Sequence, residues 1–119
     1  MTMTELRGRV AMVTGGSGGI GSDLVERLAV AGCDVAVHYS GHEDAAREVA
    51  DRAARHGVRT AVVQADLASP EAASGLVDEV ERALGPIDVL VPNAGGGVPV
   101  DRIVNTWPAD KLLEWTGSH

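Results

Sequence analysis

Phenylalanine is absent from the 119 residues, tyrosine and lysine occur once each (Tyr39 and Lys111), and the remaining aromatics are Trp107 and Trp115. Aromatic side chains amount to 3% of the chain, and 17 acidic against 10 basic side chains give a net charge of −7. Such a surface offers neither the stacking platforms nor the basic grooves that nucleic acids need, so no nucleic-acid partner is expected. A single cysteine, Cys33, excludes an internal disulfide and a CxxC metal knuckle. The histidines at 38, 42, 56 and 119 show no ligand spacing with it, so no metal site is expected. No apolar run approaches the ~18 residues of a membrane span, and no membrane partner is expected. The opening Met1-Thr2-Met3-Thr4-Glu5 has no basic stretch followed by an apolar one. Secretion is therefore not expected, and the compartment expected is a reducing cytoplasm.

What is present is ordinary globular composition, 45% hydrophobic and 23% charged, in a length that makes one domain over 1–119 the default. Residues 8–14 (Gly-Arg-Val-Ala-Met-Val-Thr) form a short apolar run that reads as a buried strand. From Ile20, apolar positions at Leu24, Val25 and Leu28 follow helical spacing until Gly32 stops the helix. Residues 34–39 read as a second strand, 43–56 as a polar-faced helix closed by Gly57, and 58–65 as a third strand. Ser69-Pro70-Glu71 starts a helix with a cap, a first-turn proline and an acid suited to the dipole; it ends at Gly85-Pro86. Residues 87–91 read as a fourth strand. Beyond Gly97 the pattern lapses: 98–119 reads as an irregular tail with one short helix over 108–115.

This strand–helix alternation predicts an α/β fold. Its strands are continuous apolar runs because helices cover both faces. Right-handed crossovers then give a doubly wound, Rossmann-type parallel sheet in the order 3-2-1-4, truncated after the fourth strand.

The chemistry begins between the first strand and the first helix, where glycines stand at 15, 16, 18, 19 and 21. A turn of this composition lets backbone approach a pyrophosphate, and the free N–H groups and dipole of the helix start attract its charge. As Gly16-x-Gly18-x-x-Gly21 it matches the general dinucleotide fingerprint. The alternative is a glycine-rich turn with no ligand. Two further landmarks narrow the pattern. Asp66-Leu67 follows the third strand, where a carboxylate can accept from an adenine amino group, and Asn93-Ala94-Gly95 ends the fourth, beside the crevice where open α/β sheets place ligands.

Together, Thr14-Gly15-x-x-x-Gly19-Ile20-Gly21, Asp66-Leu67 and Asn93-Ala94-Gly95 resemble the short-chain dehydrogenase/reductase family over roughly residues 6–105. The stretch Val35-Ala36-Val37-His38-Tyr39-Ser40 is similar to the 3-oxoacyl-carrier-protein reductase branch. The resemblance implies that Gly15, Gly19 and Gly21 hold the pyrophosphate, with Ser17 and Ile20 beside it. It implies that Asp66 and Leu67 flank the adenine, and that Asn93, Ala94 and Gly95 serve the ribose side and the central sheet. Pro92 departs from the family, which usually has a second asparagine there. Having no N–H, a proline fits a strand's last residue better than its middle.

An NAD-specific site places an acid at the end of the second strand to bind both ribose hydroxyls. Here that stretch is His38-Tyr39-Ser40-Gly41, and the nearest acids are Glu43 and Asp44. Tyr39 and Ser40 therefore stand where the ribose is read, with Ser17, Ser40 and His42 as candidate donors to a phosphate and no arginine nearby. NADP is expected as the cofactor, with NAD as the alternative. Family members transfer hydride with a serine and a Tyr-x-x-x-Lys pair, the tyrosine acting as general acid/base. Here Glu43 stands four residues after the only tyrosine, and the only lysine is Lys111. The chain is thus expected to be the cofactor-binding half of a reductase, without catalytic residues of its own. The alternative is a non-catalytic binding module that completes its sheet with a partner chain or a second copy. Gly117-Ser118-His119 reads equally as native or as an expression scar.

The remaining residues take plain readings. Cys33 is a small buried hydrophobe, His38 packing or surface, and Glu71, Asp78, Glu79 and Glu81 a solvated helix face.

Overall fold

The computed structural model describes residues 6–93. Seven elements alternate: β1 (Val10–Thr14), α1 (Gly19–Val30), β2 (Asp34–Tyr39), α2 (Glu43–Ala54), β3 (Thr60–Gln64), α3 (Pro70–Leu84) and β4 (Val89–Pro92). The strands form one sheet in the order β3-β2-β1-β4, with every pairing parallel. This is the expected Rossmann-type order.

Period-two alternation sorts each strand's side chains between two cores. Val10 and Met12 of β1, Ala36 of β2 and Leu90 of β4 join Leu76, Val77, Val80 and Leu84 of α3 on one face. Ala11, Val13, Val35, Val37, Val89 and Val91 point the other way, onto Leu24, Val25 and Leu28 of α1 and Ala46, Val49, Ala50 and Ala53 of α2. Both faces are covered, which is why the strands lack polar alternation. With α1 and α2 on one face and α3 on the other, the chain reverses direction across the sheet at β1. The crevice beyond the carboxyl ends of β1 and β4 is the topological switch point.

Element ends differ from the sequence expectation where pairing, rather than composition, sets them. β1 begins at Val10 and not at position 8, because Gly8 turns with φ +80° while its N–H donates to Gly32 O. β3 covers Thr60–Gln64 within the expected 58–65, since its register with β2 runs from Val35↔Thr60 to Tyr39↔Gln64. α2 stops at Ala54, two residues early, and its chain turns at Gly57 with φ +86°. β4 shifts to Val89–Pro92 because Asp88 is engaged before it: its carboxylate accepts the Val10 N–H at 3.0 Å. α3 starts as expected, its Ser69 Oγ accepting from Ala72 N–H at 3.3 Å. Pro92 is indeed the last residue of β4, opposite Thr14. The tail over 98–119, its helix, and Ala94 and Gly95 lie outside the described residues.

Polar stapling gathers at the amino ends of the strands. Asp34 accepts from Arg59 through its backbone N–H at 2.9 Å and its guanidinium at 2.9 Å, and Arg59 Nη2 also donates to Leu84 O at 3.0 Å, the carboxyl end of α3. Arg9 faces Asp88 at 3.5 Å. Cys33, beside them, is fully buried, and burial, aided by Asp34 and Asp88, pushes its thiol up to about 11. It is a neutral packing residue.

Candidate functional site

The opposite, carboxyl end of the sheet carries the glycine turn. Gly15 leaves β1 at φ +64°, a left-handed conformation open to glycine and costly for other residues. α1 then starts behind Gly18 with no side-chain cap and no acid in its first turn. The other two helices differ: α2 has Glu43 and Asp44 in its first turn, and α3 has Ser69 and Glu71. The first-turn amides of α1 are left open toward the crevice, a ready anion site. Gly21 is buried where α1 crosses the turn. A Cβ there would run into Gly15 O and approach Asn93 Nδ2 to 2.7 Å, so only glycine permits the close passage. At Gly19 a Cβ would meet nothing within 4 Å.

Asn93 fastens the other side of the crevice. Its backbone N–H donates to Thr14 Oγ1 at 2.9 Å, and its side-chain Nδ2 donates to Gly15 O at 3.3 Å. Thr14 Oγ1 in turn donates to Val91 O at 3.5 Å. The end of β4 and the glycine turn are thereby tied in one hydrogen-bonded chain. Ile20, 68% exposed, stands on the first turn of α1 as an uncovered apolar side chain at the mouth.

β2 and β3 complete the row. Tyr39 is half-buried against the α1–α2 core, and Ser40, exposed, presents its carbonyl to Gln64 Nε2 at 3.1 Å. Asp66 is exposed just past β3, its carboxylate oriented by Ala68 N–H at 3.0 Å. Leu67 is buried in the α3-side core, so it anchors the loop while Asp66 faces out. Ser17 lies half-buried within the turn. The structure thus brings Gly15, Ser17, Gly19, Ile20, Gly21, Tyr39, Ser40, Asp66 and Asn93 to one end of one sheet.

Two residues were missed in the sequence. Arg47 stands on α2 in an ion pair with Glu43 at 2.6 Å, so the cation nearest in sequence to the end of β2 is already paired with a carboxylate. His38 is neither filler nor surface. It is 2% exposed and hydrogen-bonded on both ring nitrogens, to Gly15 N–H at 3.0 Å and to Ala65 O at 2.9 Å. A histidine following the apolar run Val35-Ala36-Val37 of β2 was the available signal.

A parallel doubly wound sheet with an uncapped helix start at its switch point is the architecture of a Rossmann-type α/β domain. The sequence profile of the short chain dehydrogenase family matches residues 9–111, and the chain belongs to that family. It is 43% identical over 96 residues to a short-chain type dehydrogenase/reductase of Picea abies, covering 76% of this chain and 35% of that protein. A sorbose reductase of Candida albicans is 38% identical over 96 residues, covering 80% of this chain and 34% of its own length. Among solved structures, a short chain dehydrogenase of Burkholderia cenocepacia J2315 in complex with NADP is 44% identical with a TM-score of 0.73, covering 76% of this chain and 37% of that one. The chain thus spans about a third of the length of these relatives.

Proposed function

We propose that this chain is the dinucleotide-binding portion of a short-chain oxidoreductase that transfers hydride between NADP(H) and a carbonyl or alcohol substrate. The observation that carries the reading is the uncapped, acid-free start of α1, aimed at a crevice that Asn93 and Gly15 hold together. The first-turn amides of α1 would hold the pyrophosphate, and Gly21 leaves it room. Asp66 would accept from the adenine amino group, and Asn93 would stand on the ribose side. The end of β2 itself has no carboxylate to repel a 2′-phosphate; Tyr39 and Ser40 stand there, which favours NADP over NAD. The Burkholderia relative with NADP supports the same choice.

Gly19→Asp tests this reading cleanly. The site has open space for the new side chain, and an acid in a helix's first turn favours the helix. The fold should survive while the carboxylate opposes the pyrophosphate. Titrating NADPH fluorescence should show saturable binding to the wild-type chain and at least about tenfold weaker binding to the variant, a loss of about 1.4 kcal/mol. Equal affinities would overturn the assignment of the turn.

A second reading rests on β4, which among the described residues pairs on one side alone, with β1. In that reading the chain is a non-catalytic module that completes its sheet with a second chain. Light scattering on the purified chain decides it: a dimer or a captured complex supports it, and a clean monomer sinks it.

A further inference from the structure

β1 ends its pairing with β2 before the glycine turn begins. The register closes at Val13↔Val37, and the backbone link resumes only where Gly16 N–H donates to His38 O at 2.9 Å. The Gly15 amide lies between, at the point where the chain swings to φ +64°. No strand carbonyl receives it; the imidazole of His38 does, through Nδ1 at 3.0 Å. The other ring nitrogen, Nε2, lies 2.9 Å from Ala65 O, at the end of β3 and one residue before Asp66. An amide N–H can only donate and a carbonyl oxygen can only accept, so the ring is neutral and carries its proton on Nε2. Burial keeps it so, lowering its tendency to take a second proton.

We propose that His38 is the positioning residue of the dinucleotide site: one neutral imidazole clamps the glycine turn through Nδ1 and the Asp66 loop through Nε2. The bond to Gly15 N–H holds the pyrophosphate end of the crevice, and the bond to Ala65 O orients the ring that makes it. This rests on the NADP(H) reading above, which it deepens. The ring sits one layer below the crevice. Its loss would release the Gly15 amide and let the turn relax away from the geometry that opens the first-turn amides of α1.

Two substitutions separate this role from simple core filling. His38→Asn keeps a carboxamide oxygen near the position of Nδ1 and gives up the reach to Ala65. His38→Gln reaches toward Ala65 and gives up the acceptor for Gly15 N–H. Both remove the ring, so a filling role predicts equal effects. The proposal predicts unequal ones. NADPH titration of the full chain should give His38→Asn an affinity within about threefold of wild type, and His38→Gln an affinity about tenfold weaker. Amide hydrogen exchange should find Gly15 protected in the wild type and His38→Asn, and exchanging at least about tenfold faster in His38→Gln. Equal affinities and equal Gly15 protection in the two variants would overturn the proposal. If the wild-type chain shows no saturable NADPH signal, the dinucleotide reading fails. Gly15 exchange then decides the clamp by itself: faster exchange in His38→Gln alone upholds it, and any other pattern removes it.

Discussion

Gly19 and Gly21 stand two positions apart on the first turn of α1, yet a methyl group at each meets a different fate. At Gly21 it strikes Gly15 O and the Asn93 carboxamide. Gly21→Ala should therefore destabilise the fold by about 1–3 kcal/mol in denaturant unfolding, despite alanine's better helix propensity. It should weaken NADPH binding as well, because relief requires the turn and α1 to part. His38 gives the residue scale its pH dependence. Its folded-state pKa lies below the ordinary 6.5, chiefly through burial. The unfolded chain then binds the proton more readily, so its contribution is intact above the unfolded value and is lost as pH falls through it. Between those two pKa values the slope is about 1.4 kcal/mol per pH unit. Urea midpoints measured from neutral pH downward should fall more steeply for the wild type than for His38→Asn, and parallel curves would contradict a neutral buried ring.

At the scale of elements, the clearest signals in the sequence were those written in local chemistry. Ser69-Pro70-Glu71 announced α3 because cap, first-turn proline and acid act within one turn, and Ser69 caps it as expected. Ser69→Ala should cost about 1 kcal/mol of stability in thermal or urea unfolding while leaving NADPH affinity unchanged. The strands β1, β2 and β4 were legible as apolar runs, and the order β3-β2-β1-β4 followed from right-handed crossovers between them. Strand ends were not legible, since a neighbour sets where pairing stops: Val58 packs against the core yet lies outside the ladder that begins at Thr60. The site was legible where backbone alone makes it, at Gly15 to Gly21. It was hidden where distant side chains make it, as in the links from His38 to Gly15 and to Ala65.

At the scale of the whole molecule, the two ends of the sheet divide the work. Charged pairs, Arg59 with Asp34 and Arg9 with Asp88, fasten the amino ends, whereas the carboxyl ends of β1 and β4 are joined by hydroxyl and amide groups, Thr14 to Asn93 and Asn93 to Gly15. An anion arriving at the crevice thus meets open N–H groups, with the carboxylates Asp34 and Asp88 spent at the far edge. Hydride transfer also needs a proton source and polarisation of the substrate oxygen, which general acid–base groups supply at about 10²–10⁴-fold in rate. With Glu43 four residues after its one tyrosine, the sequence holds no Tyr-x-x-x-Lys pair. The purified 119-residue chain should therefore bind NADPH without oxidising it in the presence of simple ketones or acetoacetyl thioesters. Saturable absorbance loss that disappears in Gly19→Asp would show that another of its groups delivers the proton.

The tie between Asn93 and Thr14 can also be read in time. The clamp from His38 to Gly15 joins residues 23 positions apart and can close as soon as β1, α1 and β2 exist. The hydrogen bond from Asn93 to Thr14 spans 79 positions, so it must wait for three helices and the whole return of the chain across the sheet. Loops of that length close later than short ones, in synthesis and in refolding alike. The crevice therefore forms no earlier than the pairing of β4 with β1, which closes loops of 78 and 79 positions at both ends of the sheet. A dinucleotide seated there would act as a latch on the longest loop, stabilising the chain by about 2.7 kcal/mol at a hundredfold excess over its dissociation constant. Occupancy would then be felt first as slower unfolding, and the cofactor would serve the young chain as a folding partner before any substrate reached it.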